Sequence, residues 1–188
     1  RVQHINIPAL PVDDILTALL TNPEIDITQH DALNIARVAN GSYLNALNLL
    51  KEGDEQKQNF ERFVNIMRLS WKVGHKKDYQ ALKELRKWAD EMAQSGIGRE
   101  RQKRFLTYAQ HQTRENFIYN LNQPDLNYLN MSEVSFSEKF SPFIHEGNVE
   151  DLMQEFALAE RHIEQNVHAR MVFFDLVLKI ILLLKRQN

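Results

Sequence analysis

The sequence contains no cysteine, which excludes disulfides, thiolate metal sites and thiol nucleophiles, and fits a reducing compartment. Glycine and proline are scarce, at 6 and 5 of 188 residues, while Leu, Ala, Glu, Lys, Gln and Asn abound, so helix is expected throughout. Neither sign of charge dominates. A formal net charge of −2 gives no global reason to expect nucleic acid or an anionic membrane as main partner. Also missing are a signal-peptide pattern, a phosphate-cradling Gly-x-x-x-x-Gly-Lys-Ser/Thr loop, a His-Glu-x-x-His zinc motif, a Glu-x-x-His pair and a Gly-x-Ser-x-Gly elbow. No catalytic or metal constellation assembles, and no cofactor is expected. The opening Arg1-Val2-Gln3-His4, with no initiator Met, reads like the interior of a longer protein.

What is present is helical periodicity. His4 to Ile7 alternates polar and apolar residues, as a short extended segment does, and Pro8 and Pro11 break it. Pro11, Asp13 and Asp14 suit the first turn of a helix that buries Ile15, Leu16, Leu19 and Leu20 and stops at Asn22-Pro23. Thr28 caps a second helix reaching Asn40, and Ser42 opens a third that ends near Gly53. The polar run after Gly53 is the best boundary in the chain. Beyond it, longer helices follow. Phe60, Phe63, Val64, Met67 and Trp71 form an aromatic stripe ending at Gly74, and Tyr79 to Met92 makes the next helix. One from about Arg99 to Leu121 comes next, then a less regular part with Pro142 near its end, and a helix capped by Asn148.

The run Met171 to Leu184 is apolar nearly all round, which marks a membrane span or a helix buried in a bundle centre. A span needs about 20 apolar residues. This run is shorter and carries Asp175 and Lys179 one turn apart, placed to pair. We therefore read it as the buried central helix of the second domain, with no membrane partner.

The stretch from Ala32 to Leu50 is a helical corner. Ala32, Ile35, Ala36 and Ala39 form a narrow apolar stripe, Asn40-Gly41 is a stop in which glycine takes left-handed angles, and Ser42 caps the helix that restarts with Tyr43, Ala46, Leu47 and Leu50. Many helical proteins contain such a corner. The run Ile-Ala-Arg-x-Ala-x-Gly-Ser-x-x-x-Ala-Leu-x-Leu-Leu also resembles the lid of clamp-loader AAA+ proteins. Further patterns extend the resemblance over essentially the whole chain: Ile5-x-Ile-Pro-Ala-Leu, Phe60-x-x-Phe, the run from Gly98 to Tyr108, Lys139-Phe-Ser-Pro-Phe-Ile and His162-Ile-Glu-x-Asn. These later patterns are similar to a subgroup of delta-prime subunits of the bacterial DNA polymerase III clamp loader.

The resemblance implies an all-α fold with a three-helix lid over residues 1–53 and a helical collar over 54–188. It implies a cytoplasmic, non-catalytic assembly subunit that joins gamma/tau and delta through the collar, reaches primed DNA only indirectly and takes no small-molecule substrate. ATP-hydrolysing relatives carry an arginine after the Gly-Ser of the corner. Here Leu44 stands in that sensor position beside Asn45, and a leucine cannot stabilise phosphate charge. Arg1 falls in register with the arginine finger that acts in trans on a neighbour's ATP, with Val2 in place of the motif's cysteine. An ordinary arginine explains Arg1 equally well. Two rivals stay open. One is a gamma/tau-type ATPase motor of the same complex. The other is a helical nucleic-acid module using Lys76, Lys77, Lys83, Arg86 and Lys87 with Arg99, Arg101, Lys103 and Arg104. Interleaved acids make solvated helix faces the default for those cations. His162 and His168, six residues apart, point to different faces and read as surface histidines.

Overall fold

Eight α-helices and no strand are present among the described residues of the computed structural model, which are 9–39, 41–121, 127, 129 and 131–186, with the backbone alone at 37, 38, 52, 131 and 132. The chain divides into two compact units, residues up to Lys57 and residues from Gln58 on.

The first unit holds α1 (Val12–Thr21), α2 (Gln29–Val38) and the opening turns of α3 (Tyr43–Lys76). Asp13 and Asp14 occupy the first turn of α1, where carboxylates meet the positive end of the helix dipole. Thr28 caps α2: its hydroxyl oxygen accepts the Asp31 N–H at 3.2 Å and its proton goes to the Asp31 carboxylate at 2.7 Å. That second bond holds the Asp31 carboxyl below its usual range. The core here is small. Among its described residues only Ile15 and Leu19 are large and fully buried, closed by Ala32, Ala36, Ala39 and Ala46. The alanines let α1 and α2 approach closely, and they also limit the apolar surface removed from water.

The second unit packs the rest of α3 with α4 (Tyr79–Met92), α5 (Gly98–Asn120), α6 (Met131–Phe140), a 3-10 turn (Ser141–Phe143), α7 (Val149–Glu164) and α8 (Ala169–Leu184). Asp78 caps α4, its Oδ1 accepting the N–H groups of Gln80 and Ala81 at 3.0 and 3.2 Å. Trp88 joins three helices, meeting Phe105 of α5 and Phe173 of α8 edge to face. Phe63, Phe105, Phe156 and Phe173 are the largest fully buried side chains of this core. A polar seam joins α5 to α6. The Tyr108 hydroxyl donates to Glu133 at 2.5 Å, and burial with that bond pushes the phenol well above its ordinary value.

Two glycines expected to end helices do not. The break at Gly53 is absent, and α3 is one helix from Tyr43 to Lys76. A helical glycine costs only about 1 kcal/mol relative to alanine, and good helix formers flank Gly53 on both sides. The helix also continues through Gly74, where the missing side chain admits α8 instead. A Cβ at Gly74 would lie 3.2 Å from the Ile181 carbonyl oxygen and 3.8 Å from Lys185 Cβ. A third expectation fails at Asn148, which precedes α7 but gives its helix no side-chain cap. The extended segment read at His4–Ile7, the stop at Asn40 and the interruption at 122–124 lie outside the described residues.

Candidate functional site

The corner between α2 and α3 has the geometry its residues demand. Gly41 takes φ +75°, and its carbonyl accepts the Leu10 N–H at 2.9 Å. Ser42 Oγ accepts the Asn45 N–H at 3.3 Å, so the serine does cap α3. Asn45 has a part that sequence reasoning missed: its side-chain amide donates to the Ala39 carbonyl at 3.4 Å, tying α3 to the end of α2. An aspartate there would have no proton to give. Leu44 projects from the first turn of α3 and is 69% exposed. Arg1 lies outside the described residues.

This corner yields a first prediction. A Cβ at Gly41 would lie 2.5 Å from Ala9 Cβ, and a left-handed L-residue costs about 1–2 kcal/mol before any clash. Gly41→Ala should therefore strip amide hydrogen-exchange protection from α1 and α2, because the first unit has little apolar burial in reserve. Protection in α5 and α7 should stay unchanged; unaltered protection in α1 and α2 would refute the strain.

Of the nine basic residues read as candidate phosphate contacts, five have partners within the protein. Lys103 bridges Glu100 and Glu164, each at 3.4 Å, and these bonds raise its affinity for the proton. Arg99 donates to the Ile163 carbonyl at 3.0 Å, Lys87 pairs with Glu91 at 3.5 Å, and the Lys76 ammonium lies 5.3 Å from the Trp71 ring centroid. Arg104 is exposed and has an interaction within the protein. Lys77, Lys83, Arg86 and Arg101 are exposed. Most of the set is thus already engaged with protein groups, as solvated faces with interleaved acids would be.

The feature that departs most from a monomer's surface is α8. Its inner face, from Val172 and Phe173 to Leu183 and Leu184, is buried against the rest of the second unit. Its outer face is not. Met171 is 69%, Leu178 41% and Leu182 67% exposed, with Phe174 half-buried between them. Positions 171, 174, 178 and 182 fall on one helical stripe. The expectation of a helix enclosed on all sides is therefore corrected: α8 is a surface helix that is apolar on both faces. Ion pairs border the stripe. Arg170 meets Asp90 at 2.5 Å, and Lys179 meets Glu155 at 2.7 Å and Asp175 at 3.1 Å, the last being the expected one-turn pair. The hydrogen bond to Glu155 raises the Lys179 proton affinity, so the ammonium stays charged and paired. With the bordering charges held in ion pairs, an apolar strip is left facing water, and strips of this kind mark interaction sites.

Among the described residues no three His, Asp or Glu side chains come together as a metal-holding group, and no helix is long and apolar enough to cross a membrane. Comparisons with protein-family models, with curated proteins and with solved structures return no match.

Proposed function

We propose that this chain is an assembly subunit without catalytic machinery, and that it corresponds to the lid and collar of a delta-prime-type subunit of the DNA polymerase III clamp loader. In this reading the first unit is the lid, the second is the collar, and α8 meets the collar domains of gamma/tau and delta. The observation that carries the proposal is the exposed apolar stripe of α8. A helix that buries one apolar face and leaves a second one wet is built for a further helical neighbour. The corner supports it as well: Gly41 and Ser42 form the turn and the cap that the resemblance implies, while Leu44 offers nothing to a phosphate.

The experiment is to mix the chain at micromolar concentration with collar domains of gamma/tau and delta and separate the products by size. Co-elution as a stoichiometric complex is the expected result. Separate elution of every component would overturn the assignment.

A further inference from the structure

An open groove of about 890 Å³ runs between α3 and α6 in the second unit. Its floor is Phe60, Val64 and Trp71 of α3, Phe136 and Phe140 of α6, and Phe143 of the 3-10 turn. Arg68, Lys72 and Lys139 stand on its rim with Glu61 and Glu84. No residue of α8 lines it, so an occupant of this groove is independent of the assembly reading. We propose that this groove docks an acidic amphipathic helix of a partner protein.

The charge favours an acidic occupant. Three cations line the groove, Arg68, Lys72 and Lys139, against the two carboxylates of Glu61 and Glu84. Lys72 and Lys139 are exposed and form no ion pair among the described residues. Two unpaired ammonium groups beside an apolar floor attract carboxylates, and desolvation on docking strengthens the pairing.

Aromatic floors with basic rims also bind single-stranded nucleic acid, by stacking bases on free ring faces. Here ring faces already have partners. Trp71 stacks on His75 with centroids 5.2 Å apart and planes at 18°, and the Lys76 ammonium sits over its ring. Phe136 stacks on Phe140 at 4.8 Å, and the Arg68 guanidinium lies 5.6 Å from the Phe136 centroid. With the faces of Trp71 and Phe136 engaged in this way, the floor favours aliphatic and aromatic side chains over a run of stacked bases.

The dimensions fit a helix. Phe60 to Trp71 spans three turns of α3, about 16 Å, which matches a partner presenting apolar anchors at i, i+4, i+7 and i+11. Glu61 lies two turns before Arg68 on α3, so the rim is polar along its length. The partner's carboxylates then face Arg68, Lys72 and Lys139, and basic residues belong toward Glu61 and Glu84.

The test is a selection of displayed random peptides of about 15 residues, long enough for the three-turn span, against the full chain. Selected peptides are then synthesised with a fluorophore and titrated by anisotropy. Enriched peptides should combine Phe, Leu or Trp at helical spacing with Asp or Glu. Their binding should weaken at least about tenfold with the Lys72→Glu/Lys139→Glu variant, and recover when the peptide's facing glutamates become lysines. Arg161→Glu, an exposed position on α7, which does not line the groove, should change nothing. An unchanged melting temperature in the double variant shows that folding is not what was lost. Failure to enrich any peptide, enrichment of basic peptides, or indifference to the Lys72 and Lys139 changes would overturn the proposal. So would displacement of the peptide by a labelled oligo-dT whose own binding depends on Lys72.

Discussion

Replacing Asn148 by leucine should destabilise the second unit by about 3 kcal/mol, from the loss of three buried hydrogen bonds at roughly 1 kcal/mol each. Asn148 is 1% exposed. Its Oδ1 accepts the His145 N–H at 2.9 Å, and its Nδ2 donates to the carbonyls of Phe143 at 2.9 Å and Leu183 at 3.3 Å. The neighbouring imidazole fixes this pattern. His145 Nδ1 accepts the Gly147 N–H at 3.2 Å, so Nε2 carries the proton and gives it to the Arg186 carbonyl at 3.2 Å. Asn148 thus clamps the 3-10 turn to the end of α8, instead of capping α7. Asn148→Asp separates the two roles. An aspartate serves an N-cap as well as asparagine does, but it cannot donate to two carbonyls, and it would bury a carboxylate against them. Both variants should melt about 10 °C lower, at roughly 3 °C per kcal/mol for a domain of this size. An Asn148→Asp variant as stable as the parent would mean that the clamp is not what the residue contributes.

The second large effect belongs to Gly74, where α3 and α8 cross. A Cβ there meets the Ile181 carbonyl at 3.2 Å, so alanine requires α8 to give by a few tenths of an ångström. That strain roughly offsets the gain of about 1 kcal/mol in helix propensity. Leucine cannot be placed without pushing α8 outward, and overpacking of this kind costs about 1–3 kcal/mol. Gly74→Leu should sit at the upper end, because the obstacle is backbone rather than a flexible side-chain tip. Gly53 is the internal control. Nothing lies within 4 Å of a Cβ built there, so Gly53→Ala should stabilise the protein by about 0.5–1 kcal/mol. Chemical denaturation of the variants reads the order directly. Equal, favourable effects of alanine at both sites would contradict the close crossing.

These two glycines show where the sequence stops being legible. Periodicity located the helices, because apolar spacing is a local property that packing confirms residue by residue. Glycine as punctuation is conditional: it ends α2 at Gly41, where the chain must turn with φ +75°, and it does not end α3 at Gly53 or Gly74. Position 74 needs glycine because of Ile181, more than a hundred residues away, and no local rule carries that information. The same holds for the Asn148 clamp, whose partners lie up to 35 residues along the chain, and for Lys103 and Arg99, which turn from phosphate candidates into protein contacts at Glu164 and Ile163. The apolar run of α8 was legible as a helix, but not which side of it would stay wet. Even apolarity round a helix says that both faces seek partners. Only the fold shows which face the second unit leaves uncovered.

The central claim is therefore that the stripe Met171, Phe174, Leu178 and Leu182 is an interface for other collar domains. The most direct measurement is the affinity of the chain for gamma/tau and delta collar domains, for the parent and for a Leu178→Glu/Leu182→Glu variant. Both leucines are exposed, so the variant should melt as the parent does. Two carboxylates placed in the middle of an apolar interface should weaken binding about a hundredfold, some 2.7 kcal/mol. Parent and variant binding with equal affinity, or a parent that does not bind at all, would contradict the account.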